Sequence, residues 1–376
     1  MTDSSLTPDI RKCLTRIADV SLDEDTTFAG LTTLHLGGRP LLAVRCGTTE
    51  AVAEVVQLLD AAAIPLLIVG GGSNLVVADG DLGLVAVILE NDALELDTGS
   101  GLVRVGAGAV WDDVVAATVA AGLGGIECLS GIPGSAGATP VQNVGAYGAE
   151  ISEVLTRVLL LERATGEVSW VDADSLELAY RRSNLKFTGR GVVLELEMQL
   201  NPDGQSAPLR FGELSRSLGA TAAGERRPVA QVREAVLALR RGKGMVLEES
   251  DHDTWSAGSF FTNPVVEVAV ADAVQAAVRA ERGGEDADRM PRFPAGEGQV
   301  KLSAAWLIDR TGFHRGYPAE GAPVRLSTKH TLALTNRGSA VTADLVALAR
   351  EVRDGVRDRF GVTLVPEPVW IGVSID

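Results

Sequence analysis

Leu66-Leu67-Ile68-Val69-Gly70-Gly71-Gly72-Ser73-Asn74-Leu75-Val76-Val77 is the most informative stretch of this chain. Four consecutive apolar residues read as a short buried strand, and Leu75-Val76-Val77 as another. Between them three adjacent glycines remove every Cβ, so successive backbone N–H groups can converge on an anion. Ser73 and Asn74 add side-chain donors for phosphate oxygens. The spacing is neither GxGxxG nor GxxxxGK[ST], so neither the Rossmann fingerprint nor a P-loop fits. Taken alone, the triplet also reads as a tight turn.

On the N-terminal side, Thr48 and Thr49 cap an expected helix over 50–63, with Glu50 and Glu54 where the helix dipole favours negative charge, and Pro65 ends it. Residues 1–25 are polar and acidic and are expected as a loosely held arm. On the C-terminal side, strand patterns fall at 84–89, 103–105, 158–161 and 192–200. In the last, Val192, Leu194, Leu196 and Met198 recur with period two, the mark of a half-exposed strand. A helix is expected from 111 to about 121, with Asp112 and Asp113 in its first turn and Gly122 past its end. Residues 201–257 are polar and rich in Gly and Pro around a helix near 229–241. Helical patterns follow at 265–280, 303–311 and 342–360, with strands at 331–334, 362–364 and 369–371.

A chain of 376 residues has room for two or three domains and several buried cores. With 46% hydrophobic and 22% charged residues it has a soluble, globular balance. The net charge of −16 argues against binding nucleic acid or an anionic membrane through the overall field, while leaving room for one anionic small molecule in a basic pocket. Cys13, Cys46 and Cys128 form no CxxC or CxxH pair, and His35, His252, His314 and His330 are scattered, so neither a disulfide framework nor a metal site is expected. No signal peptide is read at the N-terminus. The uncharged stretch 128–149 carries two prolines, five glycines, Gln142 and Asn143, whose polar groups would go unsatisfied in lipid. The expectation is a soluble, cytoplasmic protein.

That same stretch holds a second glycine loop, Gly131-Ile132-Pro133-Gly134-Ser135-Ala136-Gly137-Ala138-Thr139-Pro140, which runs into Val141-Gln142-Asn143-Val144-Gly145-Ala146-Tyr147-Gly148. Such a loop lets backbone approach a large flat ligand and read its polar edge, and an isoalloxazine ring is an object of that kind. Close packing of neighbouring elements is an equal reading. The cofactor candidates are Gly70, Gly71, Gly72, Ser73 and Asn74 in the first loop. In the second they are Gly131, Pro133, Gly134, Ser135, Gly137, Ala138, Gln142, Asn143, Gly145 and Ala146.

Together the two loops resemble the flavin-binding half of the UDP-N-acetylenolpyruvoylglucosamine reductases. Tyr180-Arg181-Arg182-Ser183-Asn184-Leu185-Lys186 is similar to the family's Tyr-Arg-x-Ser-x-Phe-Lys segment, and Gly258-Ser259-Phe260-Phe261-Thr262-Asn263-Pro264 to its Gly-Ser-Phe-Phe-Lys-Asn-Pro segment. Ala305-Trp306-Leu307-Ile308-Asp309 and Leu364-Val365-Pro366-Glu367 match two further blocks in order, so the likeness covers about 26–372. It implies an α/β (α+β) fold: a two-part FAD-binding module of the vanillyl-alcohol-oxidase type plus a separate α+β substrate-binding domain. The parts would be an arm at 1–25, FAD subdomains at 26–86 (with the C-terminal strand, 362–376) and 87–208, and a substrate domain at 209–361.

The activity implied is transfer of hydride from NADPH through non-covalent FAD to the enolpyruvyl ether of UDP-N-acetylglucosamine enolpyruvate, yielding UDP-N-acetylmuramate for peptidoglycan and so serving cell shape and division. A vinyl carbon beside a carboxylate accepts hydride only if the developing enolate is stabilised and a proton reaches the other carbon. Arg181 fits the cation on the carboxylate, Ser259 the proton donor and Glu367 the polarising group. Apart from the resemblance, these read respectively as a surface ion pair, a small turn residue and an exposed turn residue. Lys243 would meet the diphosphate, or else lies on a solvated basic face; Asn263 and Lys301 are candidates for nucleotide contacts. His330 matches a family segment and reads as structural. Two departures stand out: Phe211 occupies the place of a loop tyrosine that closes on the diphosphate, and Leu185 and Thr262 replace the usual Phe and Lys. The sequence leaves oligomeric state open and favours a monomer. Rival readings are an FAD-dependent alcohol or sugar oxidase of the same cofactor-binding fold and a catalytically silent nucleotide-sugar sensor.

Overall fold

The computed structural model describes residues 6–210, 212–222 and 224–376, which fall into two compact units. The first takes in the chain to Leu31, Gly38–Gly72 and Gly80–Val246; the second takes in Thr32–Gly37, Ser73–Asp79 and Leu247–Asp376. Phe211 lies outside the described residues.

In the first unit the helix Thr49–Ala61 starts where expected, because the Thr48 hydroxyl accepts from the Ala51 N–H at 3.2 Å. It buries Ala51, Val52, Val55, Val56 and Leu59 on one face. That face covers a four-stranded sheet ordered Val20–Asp23, Leu42–Cys46, Val85–Leu89, Leu66–Val69. The last two pairings are parallel and the first is antiparallel. Leu66–Val69 was expected to be buried, yet it is an edge strand in which only Val69 is fully covered. An apolar run states that a strand is packed on its faces, not whether it has two neighbours. The N-terminal residues also differ from the expected loose arm. Pro8–Leu14 is a helix and Val20–Asp23 pairs with Leu42–Cys46, because Leu14 is fully buried and Leu6, Ile10 and Ile17 pack beside it.

A second sheet in this unit is antiparallel, ordered Glu167–Asp172, Leu155–Glu162, Gly191–Gln199, Leu102–Gly106, Leu94–Asp97. The central strand breaks its own period. Leu159 faces Glu195 and Leu160 faces Val193, so Leu194 is an extra residue in the ladder. This bulge sends Val192 and Leu194 into the core under the Thr49–Ala61 helix, and Val193, Leu196 and Met198 into the core around Trp111. One strand thereby serves two cores. The helix Val229–Gly242 adds Val232 and Val236 to the second of these, which is why the unit extends to Val246.

Cys46 and Cys128 are buried, and burial pushes both thiols up to about 12. At neutral pH the native protein is therefore expected to react with a thiol reagent only at the exposed Cys13, and at all three cysteines once denatured. Fast labelling of more than one thiol in the native state would contradict the burial.

The second unit is built on the helix Thr342–Phe360, whose buried face carries Leu345, Leu348, Ala349, Val352 and Val356. The Asp79 carboxylate, far away in sequence, accepts from the N–H groups of Thr342 (2.9 Å) and Ala343 (3.2 Å) and caps this helix. Leu75–Val77 pairs in parallel with Val369–Ile371. The expected strand 362–364 is irregular instead: Val362 and Leu364 point into the core but find no partner strand. The strand expected at 331–334 is displaced to Leu334–Asn336, paired with Val324–Leu326. A three-stranded sheet, Val265–Glu267, Gln299–Leu302 and Arg292–Pro294, accompanies the helices Val268–Arg282 and Ala304–Thr311.

Candidate active site

The two glycine loops meet in the first unit. A Cβ on Gly70 would overlap the Ser135 hydroxyl, and one on Gly71 would come 2.5 Å from the Gly134 Cα. At Gly71 backbone lies on backbone, and at Gly70 backbone lies on the Ser135 side chain, so neither place has room for a Cβ. Gly72 turns through a left-handed conformation at φ +59. Among the described residues the N–H groups of Gly70, Gly71 and Gly72 donate to no protein acceptor. Ser135 Oγ is buried with no hydrogen-bond partner there. An orphaned buried hydroxyl costs roughly 1–3 kcal/mol unless a ligand satisfies it. Uncharged main-chain donors plus this hydroxyl form a donor set that suits FAD. Ser73 and Asn74 fall in the second unit, where the Asn74 carbonyl accepts from the Val369 N–H.

A substitution at the crossing tests it. Gly71→Ala is expected to cost about 1–3 kcal/mol through overpacking and to reduce flavin retention. Both are read from the 280/450 nm absorbance ratio and a thermal melt. An alanine protein that keeps its flavin and melts like the parent would sink the contact.

Other members of the second loop are occupied by the fold. The Gly131 N–H donates to Asp112 at 2.6 Å, and Asp112 is gripped by Arg233 through two bonds of 2.6 and 2.9 Å. Burial pushes the Asp112 carboxyl up, but Arg233 and the Gly131 N–H together bring it below its usual value. The Gly137 N–H donates to the Ala107 carbonyl and the Ala138 N–H to that of Ser135. Asn143, buried and at φ +46, donates to Glu150 and to the Ala179 carbonyl and accepts from the Ser152 N–H. Its amide therefore organises the loop. Gly145 and Ala146 pair with Glu150 and Ala149 in a small hairpin, while Pro133 and Gln142 are half-buried.

Arg181 lands on this second loop. Ala179 and Arg182 exchange backbone hydrogen bonds around Tyr180 and Arg181, and Arg181 sits at φ +55. A left-handed arginine is strained, which glycine would avoid, so the turn keeps Arg181 for its side chain. The turn is fastened to the loop by Ser183 Oγ, which donates to the Val141 carbonyl at 2.5 Å, and by Asn143 Nδ2 on the Ala179 carbonyl. The guanidinium itself donates to the Gly145 carbonyl at 2.7 Å. One arm is thus anchored and the plane of the group is set.

Ser259 and Glu367 belong to the second unit and lie on adjoining segments. The Glu367 N–H donates to the Phe260 carbonyl at 2.9 Å, and Phe261 bridges Pro366. Phe260 and Phe261 are fully buried and fix Ser259 between them and the left-handed Gly258. Ser259 Oγ faces His330, 3.5 Å from Nε2.

The remaining candidates are more dispersed. Lys243 follows the helix Val229–Gly242, where it is paired with Glu213 at 2.5 Å and sits 5.8 Å over the Tyr147 ring. Asn263 accepts from the Ala304 N–H at 3.0 Å and so caps the helix Ala304–Thr311. Lys301 stands on the strand Gln299–Leu302, opposite Val265 and Phe293. Tyr147, Glu213 and Arg240, which sequence reasoning did not single out, lie around Lys243 and the Gly131 turn. Burial pushes Arg240 down to about 10, and it lies beside the Gly131 turn. Their one signal was proximity in sequence to loops already under suspicion.

The fold and this donor set define a flavin-binding protein with a second, separate domain. Residues 40–172 match the FAD binding domain family, and residues 249–371 the family described as UDP-N-acetylenolpyruvoylglucosamine reductase, C-terminal domain. The chain is 65% identical over 376 residues, all of both chains, to UDP-N-acetylenolpyruvoylglucosamine reductase 2 of Corynebacterium glutamicum. It is 68% identical over 349 residues to the Corynebacterium diphtheriae reductase, covering 93% of this chain and 90% of that one. The crystal structure of UDP-N-acetylenolpyruvylglucosamine reductase from Thermus caldophilus shares its fold, with a TM-score of 0.62 at 22% identity over 94% of this chain and 98% of that one. The chain belongs to the UDP-N-acetylenolpyruvoylglucosamine reductase family. The fold class expected from sequence, an FAD-binding module with a separate second domain, is the one found.

Proposed function

We infer that the chain is the FAD-dependent oxidoreductase that uses NADPH to reduce the enolpyruvyl group of UDP-N-acetyl-3-O-(1-carboxyvinyl)glucosamine to UDP-N-acetylmuramate in peptidoglycan synthesis. Among the features of the fold, the crossing of the two glycine loops, with Ser135 Oγ orphaned beneath it, supports the reading best. FAD, when bound, relays hydride from NADPH to the vinyl carbon. Arg181, oriented by Gly145, holds the substrate carboxylate and stabilises the enolate that forms as hydride arrives. Ser259 gives its hydroxyl proton to the adjacent carbon, and Glu367 polarises the carboxylate from the neighbouring segment.

Lys243 exchanges Glu213 for the diphosphate, and Asn263 and Lys301 are the candidates for nucleotide contacts. We assign the flavin to segments 26–86 and 87–208 and the substrate to 209–361. The protein acts as a cytoplasmic monomer whose product supports cell shape and division. No helix among the described residues is long and apolar enough to cross a membrane. Purified protein is expected to be yellow, to lose colour with NADPH without air, and to regain it on addition of the enolpyruvyl substrate with a two-hydrogen gain in product mass. A colourless protein that FAD does not restore, or oxygen consumption without any UDP-sugar, would overturn the reading.

A further inference from the structure

His330 is more than a nearby ring. Its Nε2 stands 3.5 Å from Ser259 Oγ, beyond the usual range of a formed hydrogen bond and within reach of one side-chain adjustment. Catalytic hydrogen bonds in ligand-free enzymes are commonly this long and tighten when substrate enters. The backbones on both sides are already locked. The Phe260 N–H donates to the Leu332 carbonyl at 2.8 Å, and Ser256 bridges Thr335. Ser327 Oγ accepts from the N–H groups of Lys329 (3.0 Å) and His330 (3.2 Å), and the Ala333 N–H donates to the His330 carbonyl. Rotation about side-chain bonds is therefore what closes the gap.

We propose that His330 is a positioning residue for Ser259: it orients the hydroxyl and returns a proton to it after the serine has protonated the substrate carbon. The inference rests on the reading of Ser259 as that proton donor. A serine left as an alkoxide is a strong base, and the next turnover needs it neutral. The new C–H bond forms as the Oγ–H bond breaks. The Oγ–H bond re-forms as the Nε2–H bond of a doubly protonated ring breaks, and the neutral imidazole then recovers a proton from water. The charged groups on the packed segments are Lys329, paired with Asp251 at 2.5 Å, Asp253, paired with Arg337 at 3.0 Å and bonded to Thr328, and Glu367 on the segment bonded to Phe260.

The test uses FAD-loaded full-length protein and follows the two half-reactions separately by rapid mixing in H₂O and D₂O. His330→Ala is expected to leave reduction by NADPH unchanged. It should slow re-oxidation by the enolpyruvyl substrate roughly 10–100-fold, a part of what acid–base groups contribute, with a larger solvent isotope effect. The double variant with Ser259→Ala should be no slower than Ser259→Ala alone, because residues acting as a unit are not additive. His330→Gln keeps a hydrogen-bonding side chain of similar reach and guards against a folding defect; it should remain slow. Full rescue by Gln, re-oxidation of His330→Ala at the parent rate, or an equal slowing by His330→Ala with and without Ser259 would each overturn the proposal. Re-oxidation of Ser259→Ala at the parent rate would instead remove the reading on which it rests.

Discussion

With Ser259 replaced by alanine, the FAD-loaded protein loses its colour with NADPH at the parent rate and regains it with enolpyruvyl substrate about 10²–10⁴ times more slowly, the range a positioned proton donor contributes. The asymmetry is the point. Ser259 sits in the second unit on a turn fixed by buried Phe260 and Phe261, so removing one oxygen leaves the packing intact. Flavin content and melting temperature should then match the parent. Hydride transfer from NADPH asks for no proton at the substrate carbon, whereas the second half-reaction stalls without one. A variant equally slow in both half-reactions would point to a general disturbance, and one slow in neither would exclude the hydroxyl from the chemistry.

Arg181→Lys should lower turnover by about 10²–10³, the cost of losing one preorganised donor to a developing negative charge. A guanidinium grips a carboxylate with two parallel N–H groups while a third N–H stays on the Gly145 carbonyl; an ammonium is a point charge on a flexible stem and cannot do both. The second loop should hold its shape in this variant, because Ser183 and Asn143 fasten the turn independently. Flavin content is therefore expected to be unchanged while steady-state kcat falls and KM for the enolpyruvyl substrate rises. Unchanged turnover would contradict the two-pronged grip. Loss of flavin would show instead that Arg181 serves the loop.

Much of this was legible along the chain. The Thr48 cap, the helix Thr342–Phe360 and the glycine runs are set by residues within a turn or two of one another, so periodicity and capping chemistry report them directly. The motif residues Arg181, Ser259 and Glu367 were identifiable for the same reason: each sits in a short block whose residue types carry the likeness. The supposed arm was misjudged because its polarity says little about Leu14, a single side chain that anchors the helix Pro8–Leu14 in a core. The period-two reading of 192–200 fails past Leu194, because one extra residue reverses which core the later side chains enter and brings Leu196 and Met198 to the side of the buried Val193.

Local chemistry, then, pointed to a ligand on glycine-lined backbone, and the resemblance carried by the short motif blocks supplied the candidates for its chemistry: a guanidinium, an alcohol and a carboxyl. Long-range closure supplied the rest, namely Gly70 and Gly71 pressed against Gly134 and Ser135, Arg181 tied to Gly145, Asp79 capping a helix more than two hundred residues away, and His330 facing Ser259. These contacts join positions whose spacing in the chain carries no information about their spacing in space. They exist because buried packing and satisfied backbone groups outweigh the modest, slowly growing entropy of closing long loops, and that balance is struck across the whole fold.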